Sequence, residues 1–280
     1  MSCQCAANET EPFPSKGDPY GGVSVAVHDV AACETVESFR SRLEVSLSSW
    51  RSSGRRGVWL QIPATHASFI PAAQAMGFEY HHAEPDYLMM CAWLGAGAST
   101  LPANASHSVG VGIVCLNESG ELLVVQEASG PAANRKGGFW KVPTGLVNAG
   151  EELAAGAVRE MKEETGIDVD FVKVLAFRDL QAAMHGKGNL YFVTLCTVRE
   201  GSPTEIRMQA EELAAARWMP IDVFLSLPYY QGTGAYAELN RATVAAALDS
   251  SQGMQRLRLA VQPDNPKRGH ATIYTPCAKL

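Results

Sequence analysis

The sequence predicts an α/β fold, because strand signals and helix signals alternate along most of the chain. The alternation occupies two stretches, residues 21–94 and 109–250, and 46% of all residues are hydrophobic, enough for a real core. Residues 95–108 are small, polar and proline-containing, a composition typical of a linker. We therefore expect two domains joined by this linker, a disordered N-terminus over residues 1–20, and a C-terminal tail over residues 251–280.

The first stretch is predicted to form a small α/β domain. Residues 36–54 favour a helix, since Phe39, Leu43 and Leu47 recur on one face at helical spacing. Residues 57–62 are a short apolar run, typical of a buried strand. The remaining predictions are a strand over residues 21–30, a short helix over residues 66–77, and one or two strands over residues 78–94.

The second stretch begins with two strands, residues 109–116 and 121–127, joined by the hairpin signal Asn-Glu-Ser-Gly at 117–120. A glycine-rich loop over residues 128–145 then leads into a helix that carries most of the functional information. The elements predicted after that helix are strands over residues 170–177, 189–198 and 214–219, and helices over residues 221–227 and 233–250.

Three carboxylates gather on the helix that follows Gly145. Glu160, Glu163 and Glu164 stand at i, i+3 and i+4, so they share one side of the helix. Like charges at this spacing repel by about 0.2–0.5 kcal/mol per pair, and folding alone gives no reason to place them there. A hard divalent cation does, because Mg²⁺ prefers oxygen ligands and is usually held by a few carboxylates plus substrate phosphates. The alternative is an ordinary acidic surface helix.

The same helix has an apolar side that can be buried while its carboxylates face a cleft. Gly166 is expected to end the helix, and Arg159 can pair with Glu163 four residues later. The apolar stripe consists of Leu153, Ala154, Ala157, Val158 and Met161.

The full spacing decides between a metal site and a surface helix. A glycine, five residues, a glutamate, seven residues, Arg-Glu, an aliphatic residue, any residue, Glu-Glu, any residue, a glycine and an aliphatic residue form the signature of the Nudix hydrolases. The chain resembles that family at every fixed position, and so many matches make chance a poor explanation. The positions are Gly145, Glu151, Arg159, Glu160, Met161, Glu163, Glu164, Gly166 and Ile167.

A closer resemblance covers about residues 57–220. Residues 57–94 and 101–114 are similar to the segments that precede the Nudix domain in plant ADP-ribose/NADH pyrophosphatases and their animal relatives. The resemblance implies a small α/β pre-Nudix domain followed by a Nudix domain, an α/β/α sandwich with a mixed sheet. It also implies a homodimer that uses Mg²⁺ or Mn²⁺ to hydrolyse nucleoside diphosphate-linked molecules, ADP-ribose or NADH above all, and releases AMP.

One region departs from the pattern of those relatives. After Phe177 and Arg178 they usually carry Gln, a small residue and His, where this chain has Asp-Leu-Gln at residues 179–181. Residues 186–189, Gly-Lys-Gly-Asn, replace a Gly-Lys-Ser-Asp type run. We expect both segments in a loop near the cleft, so they bear on substrate choice. Coenzyme A is the alternative substrate, and capped mRNA a more distant one.

The resemblance assigns the motif's carboxylates to a metal site. Glu160 and Glu164 are expected to bind the metal together with the Gly145 carbonyl. Glu163 is either a further ligand or the base that activates water. Arg159 is expected to orient a glutamate, and Glu151 either joins the metal shell or pairs with Arg159.

Further candidates lie outside the helix. Glu211 or Glu212 either supplies an additional carboxylate near the substrate or is a solvated loop carboxylate. Trp140 and Phe139 can stack on adenine or pack as core aromatics, and Arg178 can bind phosphate or make a surface pair. The sequence leaves these alternatives open.

The net charge and the cysteine content of the chain limit the classes of binding partner and compartment that we expect. The net charge of −6 and the pI of about 5.7 argue against binding bulk nucleic acid, which needs a basic face. Small anionic substrates remain compatible with this charge, because a metal ion supplies positive charge locally. The seven scattered cysteines indicate free thiols in a reducing compartment. A regulatory module that binds a nucleotide without cleaving it is the competing function, and the intact set of glutamates favours an enzyme.

The expected location is the cytoplasm. No apolar run approaches the ~18 residues that predict a membrane helix, and the acidic N-terminus does not resemble a secretory signal. The alternative is the peroxisome, because Ala278-Lys279-Leu280 resembles the Ser-Lys-Leu address.

Overall fold

The computed structural model describes residues 11–133, 138–260 and 270–277. The chain divides into two compact units, Met1–Ala105 and Ser106–Leu280, and the division falls inside the predicted linker. The prediction of disorder is wrong for residues 11–20. Phe13 is only 2% exposed, and its backbone N–H donates to the buried Ser46 Oγ at 2.7 Å. Residues 1–10 lie outside the described part.

The first unit is a five-stranded mixed sheet with helices and one 3-10 turn. Its strands follow the order β1-β2-β3-β5-β4, with β2 parallel to β3 and the other pairs antiparallel. The strands are β1 Lys16–Gly17, β2 Val23–Val25, β3 Gly57–Pro63, β4 Glu79–Ala83 and β5 Tyr87–Trp93, the helices are α1 Val27–Ala31, α2 Val36–Ser52 and α3 Ile70–Ala75, and the 3-10 turn is Ala64–Phe69.

Helix α2 confirms the amphipathic helix predicted from its pattern. Thr35 and Ser38 form a reciprocal capping box at its start, and the predicted face is buried through Phe39, Leu43 and Leu47. The strand predicted over residues 21–30 is correct only in part, because α1 begins at Val27.

The second unit contains an eight-stranded mixed sheet. Seven strands follow the order β11-β7-β6-β10-β9-β12-β13, and β8 also pairs with β6. Among the strand pairs that the described residues form in this sheet, β6 and β10 are the only parallel pair. The strands are β6 His107–Leu116, β7 Glu121–Glu127, β8 Thr144–Leu146, β9 Val169–Met184, β10 Lys187–Val198, β11 Leu213–Pro220, β12 Met254–Ala260 and β13 His270–Pro276.

Helices cover both faces of this sheet and complete the predicted α/β/α sandwich. The helices are α4 Gly130–Ala133, α5 Leu153–Thr165, α6 Ile221–Ser226 and α7 Ala235–Leu248. Successive side chains of a strand point to opposite faces. On β6, Val111 and Ile113 therefore pack with Met161 of α5, while Val114 packs with Phe224 of α6 and with α7.

The loop expected after residue 177 is a β-hairpin instead. Strand β9 continues to Met184 and pairs with β10, which begins at Lys187. The turn between them places His185 and Gly186 at φ values of 50° and 72°, the left-handed region that short hairpin turns use. The two segments that depart from the relatives therefore lie in this hairpin, whose register shifts between Lys187 and Asn189.

The predicted C-terminal tail is largely part of the sheet. Strand β12 pairs with β9 through Met254 and Val174, and β13 pairs with β12 along its whole length. The buried Lys173 of β9 links this strand to the end of α7 and to the segment before β12. Its Nζ donates to the carbonyl oxygens of Ala246, Asp249 and Gln252 at 3.1, 2.9 and 2.7 Å. The tripeptide 278–280 lies outside the described residues.

The thiols of Cys91, Cys115, Cys196 and Cys277 are free, as predicted. Burial raises the pKa of Cys115 and of Cys196 to about 12, so neither thiol is a ready nucleophile. Within the described ranges, no helix has both the length and the apolar character needed to span a membrane.

Candidate active site

Helix α5 presents the acidic residues and ends at a well-defined position. The predicted stop is confirmed: Gly166 adopts φ 72° and its N–H donates to the Lys162 carbonyl. Glycine suits this left-handed position because it has no Cβ. Ala157 and Met161 are buried against the sheet, so the opposite edge of the helix is left to the carboxylates.

Arg159 ties together three carboxylates of the motif. Its Nε and Nη2 each donate to one oxygen of Glu151, at 2.8 Å. Its Nη1 donates to Glu160 and to Glu163, also at 2.8 Å. Nη2 reaches the Leu146 carbonyl at the same distance. The positive charge of Arg159 thus offsets the repulsion between the glutamates. Its bonds to the Leu146 carbonyl and to Glu151 also link β8 and the loop before α5 to this helix.

Gly145 allows the closest approach in the site. A Cβ at this position would lie 1.9 Å from Cδ of Glu160, where no atom fits. Strand β8 holds the glycine in register opposite Val111 of β6. The glycine is therefore required because the Glu160 carboxylate lies directly over the backbone.

Glu164 is the buried carboxylate of the site, with 5% of its surface exposed. Burial raises its pKa to about 7, although the positive charge of Lys141 and a hydrogen bond from the Thr144 N–H, at 3.3 Å, favour the ionised form. The negative charges of Glu160 and Glu212 act in the same direction as burial. In the absence of a cation, this carboxylate is therefore about half protonated near neutral pH.

Lys141 is a site residue that the sequence reasoning missed. Its ammonium group pairs with Glu127 and donates to Thr144 Oγ1 at 2.6 Å. Lys141 is only 8% exposed, and its backbone pairs with Val125. The sequence of the loop over residues 128–145 does not mark Lys141, because its contacts depend on β7, a distant segment.

The acidic edge of α5 opens into a cleft of about 580 Å³. Glu212 lies in this cleft, whereas its neighbour Glu211 is not part of the lining, so the structure separates the two candidates. Gln209 was not predicted; its N–H donates to the Glu164 carbonyl at 3.0 Å, which places it beside the helix end. The lining consists of Thr144, Gly145, Leu146, Glu160, Glu163, Gln209 and Glu212.

Comparison with known proteins gives the family. The model of the NUDIX domain matches residues 106–238, and a second model, described as Nudix hydrolase domain, matches residues 13–94. Nudix hydrolase 5 of Arabidopsis thaliana is 44% identical over 218 residues, which are 78% of this chain and 70% of that protein. The chain belongs to the Nudix hydrolases.

Two other members of the family are similar over most of the chain. Nudix hydrolase 2 of Arabidopsis thaliana is 39% identical over 252 residues, covering 90% of this chain and 87% of that protein. The human protein named nucleoside diphosphate-linked moiety X motif 6 is 37% identical over 210 residues, covering 73% of this chain and 64% of that protein. The similarity to the human protein shows that the match is not restricted to plant sequences.

The two aromatic candidates lie outside the lining of the Nudix cleft. Phe139 is 6% exposed and its ring centroid is 4.5 Å from that of Tyr229, so its contacts are those of the core alternative. Trp140 is partly buried, packs against the core below α7, and carries the Arg217 guanidinium over its ring at 4.4 Å.

Arg178, on β9, is likewise not among the residues that line the cleft. Its Nη2 donates to Asn189 Oδ1 at 3.1 Å, and its guanidinium carbon is 5.1 Å from the centroid of the Tyr191 ring. Across the part of the chain that the structure describes, Arg178 forms no ion pair, so the surface pair considered from the sequence is not formed.

The donor set of the cleft fits a hard divalent cation, although its side chains are not arranged as a finished cage. Across the described residues, no three acidic, histidine or cysteine side chains converge on one point, and Arg159 holds Glu160 and Glu163. Carboxylate oxygens from α5 and from Glu212 nevertheless face one space, and oxygen is the ligand that such a cation prefers. The pKa of Glu164 is also raised. A metal ion that binds this carboxylate would therefore displace its proton.

Proposed function

We propose that this Nudix hydrolase cleaves the diphosphate bond of ADP-ribose and of NADH in a reaction that depends on Mg²⁺ or Mn²⁺. Water would convert ADP-ribose into AMP and ribose 5-phosphate, and NADH into AMP and the reduced nicotinamide mononucleotide. One observation carries the hydrolytic part: Glu160, Glu163 and Glu212 face a single cleft beside Gly145. The choice of substrate is supported by the resemblance over residues 57–220 to plant ADP-ribose/NADH pyrophosphatases.

The glutamates of α5 would have different roles in the reaction. Glu160, Glu164 and the Gly145 carbonyl would hold the metal ion. A bound divalent ion neutralises charge on the phosphates and lowers the pKa of water. Glu163 exposes 53% of its side chain, so it can receive a proton from water or serve as a further ligand.

Arg159 and Glu151 are positioning residues in this scheme. Both oxygens of Glu151 accept from Arg159, and one also accepts from the Asn148 N–H at 2.9 Å. Of the two roles considered for Glu151, pairing with Arg159 is therefore the one that its contacts support. Arg159 in turn fixes the carboxylates of Glu160 and Glu163, which face the cleft.

A substrate panel tests the proposal. ADP-ribose, NADH, coenzyme A and capped RNA are each incubated with Mg²⁺ or Mn²⁺, and the products are separated by chromatography. We expect AMP from the first two, and no product when a chelator is in excess. Turnover that survives the chelator would contradict the metal-dependent mechanism.

The panel also separates the competing functions. Cleavage of coenzyme A or capped RNA, without cleavage of ADP-ribose or NADH, would replace the proposed substrate. Tight binding of a nucleotide without turnover of any member would favour the regulatory module. The homodimer, also proposed from the resemblance, is checked by light scattering on the same preparation.

A further inference from the structure

Arg178 is a partly buried cation, and no carboxylate of the described residues forms an ion pair with it. The ion pairs found between described residues involve nine other cationic or histidine side chains and not this one. Its Nε is buried and has no hydrogen-bond partner within the described part of the chain. Buried polar groups are normally paired, and an unpaired buried charge is costly. Arg178 therefore has unused capacity to bind an anion.

A neutral side chain orients this cation. Ser108 Oγ donates to the Gly188 carbonyl at 3.4 Å, so its lone pairs are left to accept from Asn189 Nδ2 at 3.1 Å. This contact fixes the Asn189 amide with Oδ1 towards Arg178, whose Nη2 lies at 3.1 Å. An amide oxygen holds the guanidinium group in place without cancelling its charge.

Tyr191 supports the guanidinium group from one side. The tyrosine lies against β6 where two glycines leave room for its ring. A Cβ at Gly112 would lie 2.0 Å from the Tyr191 hydroxyl oxygen, and one at Gly110 would lie 3.3 Å from Cδ2. Arg178 lies over the ring at 5.1 Å from its centroid, a distance typical of a cation–π contact.

The cluster of Arg178, Asn189 and Tyr191 adjoins the metal cleft. The position that a Cβ of Gly110 would take is 3.6 Å from Asn189 Nδ2 and 3.5 Å from the Gly145 carbonyl oxygen. The Asn189 amide and the backbone of Gly145, over which Glu160 lies, are thus close to the same point beside Gly110. Asp179 does not intervene, because it alternates to the other face of β9 and pairs with His107 at 3.5 Å.

We propose that Arg178, held by Asn189 and Tyr191, forms a phosphate subsite beside Gly145, and that Asn189 is a specificity-determining residue of this enzyme. The subsite takes a phosphoryl group of the substrate, so it rests on the proposed function for a nucleoside diphosphate-linked substrate. A guanidinium group suits phosphate because its N–H donors match the oxygen geometry. An aspartate at 189 would occupy the same donors and neutralise the charge.

The substitution Asn189→Asp tests the subsite, because it changes one charge and almost no volume. Aspartate can still accept from Arg178, so the variant should fold. We expect KM for each cleaved substrate to rise about tenfold, as for loss of one charge-assisted contact, with kcat within threefold of wild type. Arg178→Gln should raise KM to a similar degree. A fall in kcat with KM unchanged would mean that Asn189 only supports the fold, and would overturn the proposal.

A binding measurement separates this proposal from the proposed function. The affinity for ADP is measured by calorimetry with excess chelator, where no hydrolysis occurs. We expect Asn189→Asp to bind ADP about tenfold more weakly than wild type. Arg178→Gln should weaken binding to a similar degree, and adding Asn189→Asp to Arg178→Gln should change the affinity little further. Equal affinities of wild type and Asn189→Asp would overturn the subsite whatever the enzyme cleaves. A lost affinity in a protein that cleaves neither ADP-ribose nor NADH would support the subsite and reject the proposed substrates.

Discussion

Arg159 binds Glu151 through both carboxylate oxygens, with its Nε and Nη2 each 2.8 Å from one of them. These bonds, followed by a backbone N–H from Asn148, hold the pKa of Glu151 near 2 although partial burial opposes them. The carboxylate comes from the loop before α5 and the guanidinium from its second turn. The pair therefore closes that loop onto the helix that carries the remaining glutamates.

The first prediction concerns acid stability. The folded-state pKa of Glu151 lies below its ordinary value of 4.5, so its contribution is fully present above that value and is lost as pH falls through about 2. Glu151→Gln should lower the free energy of unfolding at neutral pH by about 1–3 kcal/mol, the range for hydrogen bonds to charged groups. Urea unfolding at several pH values should show the difference from wild type shrinking in acid. Glu163→Gln, at a more exposed position, is the matched control and should change stability less.

The second prediction concerns Glu164, and the sign is opposite. Its folded-state pKa, about 7, lies above the ordinary 4.5, so the group stabilises the metal-free fold below about pH 4.5 and this contribution is lost as pH rises through about 7. Glu164→Gln does not titrate, so in chelator above neutral pH it should be more stable than wild type, on the order of 2–3 kcal/mol. The two proteins should converge in acid.

Activity completes the test of Glu164. With saturating metal, turnover by Glu164→Gln should fall by about 10²–10³, the loss expected for one key electrostatic group at a reacting centre. Higher stability with lost activity is the pattern of a functional carboxylate. A variant within about threefold of wild type would mean that Glu164 has no part in the site.

The third prediction separates two neighbouring glutamates. Glu212 lines the cleft and Glu211 does not, so Glu212→Gln should lower kcat/KM at least about tenfold while Glu211→Gln leaves it nearly unchanged. Steady-state kinetics on both variants provides the comparison. Equal losses in the two would show that the local charge of this segment matters, and that neither residue has a specific role.

The fourth prediction concerns Lys141. Lys141→Met removes the partner of Glu127 and the donor to Thr144 Oγ1, and should lower the free energy of unfolding by about 2–4 kcal/mol because a poorly exposed charge loses its partner. Lys162→Met removes an ion pair with Asp168 whose lysine is 51% exposed, and should cost less than about 1 kcal/mol. Chemical denaturation of both variants makes the comparison. A similar loss in both would contradict a special role for Lys141.

The fifth prediction concerns location. We propose a cytoplasmic protein, with peroxisomal import through Ala278-Lys279-Leu280 as the alternative. A fluorescent protein that ends in the last dozen residues of the chain distinguishes the two by microscopy. A diffuse signal is expected for the cytoplasm. Collection in peroxisomes, abolished when Leu280 is deleted, would establish the alternative.

The sequence predicted those parts of the site that lie close together along one helix. Glu160, Glu163 and Glu164 share a side of α5 because helical spacing requires it, and Gly166 ends the helix because a left-handed residue is needed there. Both inferences need only local geometry.

Contacts between distant segments could not be inferred in the same way. Phe139 packs on Tyr229, 90 residues further along the chain, and Lys141 pairs with Glu127 only because β7 lies next to it. The strands β12 and β13 lie in residues 251–280, which were predicted to be a C-terminal tail. Sheet pairing with β9 is what makes them strands.

Lys173 gives a way to follow the opening of the second unit. Each donor of its ammonium group is used by a backbone carbonyl, and the residue is 5% exposed. An amine-reactive reagent should therefore modify the exposed Lys162 readily and leave Lys173 unmodified until the strands beyond α7 detach. Mass spectrometry of the peptides that contain Lys162 and Lys173, taken over time, would report how often β12 and β13 detach from β9. Measurements of catalysis would not reveal this rate.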